Sequence, residues 1–213
     1  MPITFYYGSG SPYSWRVWLA LEHKSIPFEL KLLSFGAGDH LKPEFLAINP
    51  RHKVPALVDE GFAIYESAAI VDYLEDAYPF HPLLPRELRA RATARRMIRE
   101  ADGYLAEALE RMVAQILFTP KEQWDDAVID AARGSFAEEL GRFESMLTGD
   151  WFAGELGAVD YTIFPLIALA RRMELRRPQL DWNCALGPKL AAWIERFQAL
   201  PVCSKTWPPH WKS

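Results

Sequence analysis

The chain predicts a two-part fold: an α/β first part in the order β-α-β-α-β-β-α, followed by an all-helical second part. Three observations carry this. Short apolar runs of strand length alternate with helix-like segments over residues 1–77. The stretch "YPFHPLLP" (78–85) then interrupts the rhythm with Pro79, Pro82 and Pro85, and cannot be helical throughout. Beyond it only long segments with helical spacing follow. The expected division is residues 1–77, a proline-rich linker at 78–86, and a helical domain at 87–213.

The elements follow in order. "ITFYY" (Ile3–Tyr7) reads as a buried strand. Pro12–Lys24 carries Trp15, Val17, Trp18, Leu19 and Leu21 at near-helical spacing, and "FELKLL" (Phe28–Leu33) reads as a second strand. Ser34–Lys42 is loop-like around Gly36 and Gly38, and "PEFLAI" reads as one short helix. "VPALVD" and "FAIY" form a hairpin around Glu60-Gly61. "ESAAIVDYLEDAY" is a helix with Ser67 near its start. In the second part, one long helix is expected over Arg86–Leu117 and another from about Glu122 to Leu147. A third starts near Asp160 and a fourth spans about Pro188–Leu200.

Composition narrows the function classes. Half of the 213 residues are apolar, enough for a sizeable core. The formal charge of −4 argues against a strong nucleic-acid or anionic-membrane binder. No stretch approaches ~18 uninterrupted apolar residues, and "MPITFYY" lacks the form of a leader. A cytoplasmic protein without membrane or nucleic-acid partners is expected. Cys184 and Cys203 form neither a CxxC pair nor a zinc ligand set, so no metal and no thiol-disulfide exchange is expected.

Three short motifs suggest chemistry. "GSGSPYSW" (8–15) sets small flexible residues ahead of a helix start, where free N–H groups and hydroxyls hold an anion or a thiolate. The same residues also suit a turn with a helix cap. Pro55 opens a strand and so belongs at an edge or a strand start; both cis and trans Val54-Pro55 bonds are compatible with the sequence. At Glu66-Ser67, a hydroxyl and helix N–H groups suit a carboxylate, and the acidic side chain suits an ammonium. Taken in isolation, helix capping is the better account of that pair.

Together these motifs resemble the soluble glutathione transferases. The resemblance spans essentially the whole chain and rests on "SPYSWRV" (11–17), "NPRHKVPAL" (49–57), "ESAAIVDYLE" (66–75) and "AVDYTIFP" (158–165). It implies a thioredoxin-like first domain, an all-α second domain and glutathione as co-substrate, and the opening loop is most similar to the serine-type bacterial, theta and zeta branches. In serine-type members the first serine of the loop motif donates a hydrogen bond to the glutathione sulfur, which assigns that role to Ser11. Tyr7 and Tyr13 are rival donors, and Ser14 a weaker one. Val54 and Pro55 match the residues that pair with the cysteinyl unit. Glu66 and Ser67 match those that hold the γ-glutamyl end. Lys53 and His40 lie where members place side chains near the glycine carboxylate.

The zeta branch has a cysteine where this chain has Tyr13, which counts against a zeta-type isomerase. Gly157 stands where the family's helix-start motif has a hydroxyl cap, so Asp160 is left as a structural residue. For the electrophile, the resemblance points to Tyr13, Met112, Gln115, Phe118 and Trp207, with Trp211 and Arg172 as further candidates. The implied activity is glutathione transfer to a small apolar electrophile, a detoxification chemistry. Alternatives are a glutathione-dependent isomerase, peroxidase or dehalogenase, or a non-catalytic scaffold of the same fold. A homodimer is implied, with Asp102 a candidate to reach the partner's site.

Overall fold

A computed structural model describes residues 2–211. The chain divides into two compact units: one runs up to Leu84 and resumes from Leu200, the other spans Pro85–Ala199. The first contains β1 (Ile3–Tyr7), α1 (Pro12–His23), β2 (Phe28–Leu32), the short α2 (Pro43–Leu46), β3 (Ala56–Asp59), β4 (Phe62–Tyr65) and α3 (Ser67–Ala77). Its sheet has the order β2-β1-β3-β4, with β1 parallel to β2 and the remaining pairs antiparallel. The parallel pair requires a crossover, which α1 supplies; the antiparallel pair β3-β4 needs only the Glu60-Gly61 turn. Both turn residues have positive φ, 48° and 89°, as tight hairpins demand.

Alternation sets which faces are buried. Ile3, Phe5 and Tyr7 of β1 point into the core, where Phe5 meets Phe28 and Tyr7 meets Trp18. The proline-rich segment is fastened to this unit by a buried cation. Lys24 Nζ lies 3.0 Å from a Glu75 carboxylate oxygen and donates to the carbonyls of Tyr78, Phe80 and His81. Glu75 in turn accepts from Leu83 N at 2.8 Å. Glu75→Gln keeps an acceptor for Leu83 but strips Lys24 of its counter-charge. A loss of about 2 kcal/mol is expected, read as a lower urea midpoint.

The second unit holds α4 (Leu88–Glu100), α5 (Ala106–Phe118), α6 (Asp126–Met146), α7 (Ala158–Glu174), the short α8 (Trp182–Ala185) and α9 (Pro188–Gln198). The long helix expected over 86–117 runs without a break from Leu88 to Phe118, with a π turn at Ala101–Leu105 inside it between α4 and α5. Asp102 and Gly103, both poor helix formers, sit where the turn widens. The next helix starts at Asp126 rather than near Glu122. Trp124 is extended, and the Asp125 carboxylate caps Ala127 N and Val128 N.

The tail departs from the expected division. Instead of ending the helical domain, residues 200–211 pack on the first unit through α10 (Pro201–Thr206). Trp15 Nε1 donates to Thr206 Oγ1 at 2.8 Å, and Lys205 pairs with Glu22 at 2.6 Å. Sequence separation hides this, because nothing local to the tail announces its partner.

Candidate active site

The opening loop follows β1 directly. Gly8 is there because nothing larger fits: a Cβ at Gly8 would stand 2.8 Å from the Phe35 ring and 2.9 Å from Val54 Cγ2. The loop therefore touches the segment that carries Val54-Pro55. Ser11 N donates to Gly8 O at 3.1 Å and Gly10 has φ +80°, the geometry of a type II turn with glycine at its third position. Ser11 is the N-cap of α1, its Oγ accepting from Ser14 N at 3.3 Å. As an acceptor, that hydroxyl keeps its proton for donation outward, so cap and anion donor are compatible roles for one side chain.

The rival donors sit in different surroundings. Tyr7 is packed against Trp18 and Phe5, and burial raises its phenol pKa. Tyr13 is half-buried with the Arg16 guanidinium 5.8 Å from its ring centre. Ser14 is buried, and its Oγ accepts from Gly8 N at 3.2 Å, which ties the loop to the helix.

The Val54-Pro55 bond is cis. Asn49 shapes the approach to it: its Nδ2 donates to Lys53 O at 2.7 Å and its Oδ1 accepts from Arg51 N at 3.0 Å. Lys53 itself is exposed. His40 is half-buried beside Phe35, at 4.9 Å between ring centres, and its Nδ1 is buried with no hydrogen-bond partner among the described residues.

Glu66 stands at φ +68°, a left-handed conformation that costs a non-glycine residue on the order of 1–3 kcal/mol. Its carbonyl nevertheless opens α3, accepting from Ile70 N at 2.9 Å. The Glu66 side chain makes no capping bond to α3, whose first N–H groups carry the positive end of the helix. Ser67 is buried, and its Oγ accepts from the guanidinium of Arg16, itself only 3% exposed. Sequence reasoning passed over Arg16. Its signal was a lone cation between Trp15 and Val17 in a run that is otherwise apolar, where a charge needs a fixed partner.

The expected electrophile residues fare unevenly. Met112 is fully buried inside the helical unit and has no surface to offer a ligand. Gln115 is occupied structurally, its Oε1 accepting from Asp125 N at 3.0 Å. The Met112 expectation is corrected, because apolar helical spacing does not distinguish a ligand wall from a core face; Gln115 is half-buried and ties α5 to the start of α6 through that bond. Phe118 is 82% exposed on the helical unit. Trp207 packs edge-on against Trp15 at 5.2 Å. Among the described residues, no group of three or more His, Cys, Asp or Glu is placed to hold a metal ion, and no helix is long and apolar enough to cross a membrane.

Residues 10–77 match the family model for the glutathione S-transferase N-terminal domain, and residues 126–196 match that for the C-terminal domain. The chain belongs to the glutathione S-transferase family. It is 33% identical to glutathione S-transferase D7 of Drosophila melanogaster, over 83% of this chain and 81% of that one. Among solved structures, it resembles a glutathione S-transferase from the Antarctic clam Laternula elliptica, with TM-score 0.86 and 30% identity over 100% and 95% of the two chains. A glutathione transferase family member from Pseudomonas fluorescens, solved with two glutathione bound, gives TM-score 0.86 and 26% identity over 97% and 92%.

Proposed function

We propose that this chain is a serine-type glutathione transferase that transfers the thiolate of glutathione to a small apolar electrophile. One observation carries the reading. A capping hydroxyl with its proton available, a cis-proline turn in contact with that loop, and an uncapped helix start behind a strained Glu66 belong to one unit.

Each part has a task. The γ-glutamyl carboxylate takes the first N–H groups of α3 and the Ser67 hydroxyl, with the buried Arg16 charge behind it. Glu66 holds the ammonium. Val54 pairs its backbone N–H and C=O with the cysteinyl unit, which directs the sulfur to the opening loop. Lys53 and His40 hold the glycine carboxylate. A free thiol titrates near ~8.5 and is mostly protonated at neutral pH. The Ser11 hydroxyl and the start of α1 both favour the anion. The thiolate electron pair then forms the sulfur–carbon bond, and the leaving group departs with its own pair. Tyr13 and Trp207 supply aromatic surface for the apolar substrate.

Calorimetry with glutathione and its S-alkyl derivatives tests the binding half. Glu66→Ala, Ser67→Ala and Arg16→Met are each expected to weaken affinity by about 1.5–3 kcal/mol, the worth of one charge-assisted contact. No binding at millimolar ligand by the folded protein would sink the proposal. A panel of electrophiles with added glutathione tests the catalytic half, and binding without any turnover would point to a scaffold.

The same reading includes a cytoplasmic homodimer. On the first unit, Phe62 is 54% exposed, with Glu60 in the adjoining turn and Asp72 and Asp76 on α3; on the second, Leu88 is 78% exposed at the start of α4, which also carries Arg89, Arg95 and Arg99. The acidic face of one protomer suits the basic face of its partner, with an apolar residue in each. Sedimentation is expected to give twice the chain mass at micromolar protein, and the double change Arg95→Glu with Arg99→Glu to halve it. A native monomer would refute the pairing.

A further inference from the structure

His210 and Trp211 bring the tail to the opening loop. His210 Nδ1 lies 2.6 Å from Ser9 Oγ. Gly10 is packed beneath the same residues: a Cβ there would stand 2.8 Å from His210 Cε1 and 3.1 Å from Trp211 Nε1. Ser9 and Gly10 are the two central residues of the turn that Ser11 closes. One imidazole therefore touches both.

The tail is itself anchored one helical turn beyond Ser11. Trp15 N donates to Ser11 O at 2.9 Å, and the Trp15 side chain is the tail's dock. Its indole N–H binds Thr206, and its ring takes Trp207 and Trp211 edge-on at 5.2 and 5.6 Å. Ser11 is thus bracketed. The residues before it are held by His210, and the residue four positions after it is held by α10 and the paired tryptophans.

We infer that His210 is a positioning residue for the sulfur-donating loop, which it holds through Ser9 and Gly10. The inference rests on the reading of Ser11 as the donor to the glutathione sulfur. The physical reason is the nature of the turn. A type II turn differs from a type I turn mainly by rotation of its central peptide, and glycine at the third position permits both. A hydrogen bond to the second residue and close packing on the third select one of them. That choice fixes the entry of Ser11 into α1 and the direction of its hydroxyl. A donor to an anion acts only when aimed at it, and misplacement by an ångström is costly.

The test compares His210→Ala with His210→Asn, whose amide can bond Ser9 from the Nδ1 position. Three readouts are followed: the ultraviolet titration of the thiolate in bound glutathione, calorimetric affinity for glutathione, and amide hydrogen exchange over residues 8–15. His210→Ala is expected to move the thiolate titration to higher pH and to lower turnover at neutral pH about tenfold. Affinity should hold within about twofold, because the γ-glutamyl clamp lies elsewhere. Exchange should quicken over residues 8–15 and not in the helical unit. His210→Asn is expected to restore the titration.

If Ser11→Ala shifts the titration and His210→Ala leaves it in place, the inference falls and the Ser11 reading stands. If His210→Ala shifts it while Ser11→Ala is silent, the Ser11 reading falls and the tail acts through another donor on the same loop. An asparagine no better than alanine, with both proteins equally destabilised, would make His210 a fold residue and overturn its positioning role.

Discussion

Ser11→Ala is expected to lower turnover at neutral pH by about 10- to 100-fold, the equivalent of the 1.5–3 kcal/mol of a hydrogen bond to a charged group. Glutathione affinity should change far less. The hydroxyl bonds the thiolate more strongly than the thiol, so its removal raises the pKa of the bound thiol and depletes the nucleophile. Each unit of that rise is ~1.4 kcal/mol, or about tenfold less thiolate below the pKa. The pH–rate profile of the mutant should therefore move to higher pH, with activity recovering in alkaline solution. Ser11 also caps α1, and losing that bond costs about 1 kcal/mol of stability on its own account. Ser11→Asp separates the two roles: it retains a capping oxygen but offers no proton at neutral pH, so stability should persist while turnover falls. Tyr7→Phe should leave the thiolate titration in place, since that phenol is packed among Phe5 and Trp18. A titration unmoved by Ser11→Ala and shifted by Tyr13→Phe would transfer the role to Tyr13.

What the sequence disclosed divides along the distance over which each signal acts. The apolar run "ITFYY" and the Glu60-Gly61 turn are local signals, and β1 and the β3-β4 hairpin stand where they put them. Ser11, Pro55, Glu66 and Ser67 stood out in the sequence because each sits at or just before the start of an element, where chain chemistry is distinctive. Prolines, glycines and hydroxyls mark such places. Long-range partners were not legible. Nothing in the sequence joins Arg16 to Ser67, fifty-one residues on, whose hydroxyl its guanidinium meets. Trp207 and Trp211 read as walls for an apolar substrate, although their nearest ring is Trp15. Met112 failed for another reason. It lies on an apolar stripe of α5, and a stripe records only that a face is covered, whether by protein or by ligand. The π turn escaped because Asp102 and Gly103 weaken a helix without stopping it.

Asp160→Ala is expected to be the most destabilising single change in the helical unit, on the order of 4–5 kcal/mol. The carboxylate is wholly buried near the start of α7. One oxygen accepts from Phe152 N at 3.3 Å and from Trp193 Nε1 at 2.9 Å; the other accepts from Gly157 N at 3.1 Å. With glycine at the cap position there is no side chain to share this work, so Asp160 alone joins the preceding loop, the first turn of α7 and the α9 tryptophan. Alanine would orphan three buried donors at once. Asp160→Asn keeps one oxygen for Phe152 and Trp193 but turns an NH₂ toward the N–H of Gly157, and should cost roughly half as much. Burial pushes the Asp160 carboxyl up to about 6, against the opposing pull of its hydrogen bonds. An unfolded aspartate titrates near ~3.9, so the folded state holds the proton more tightly. Its contribution is therefore fully present below about pH 4, declines as the pH rises through about 6, and is constant above. The stability gap between the native protein and Asp160→Asn should narrow across that window and then stay level. Urea midpoints measured at pH 4, 5, 6 and 7 on both proteins read this directly, with other titrating groups cancelling in the difference. A gap that widens with pH would mean that the three N–H donors outweigh burial, and that Asp160 is held as a carboxylate throughout.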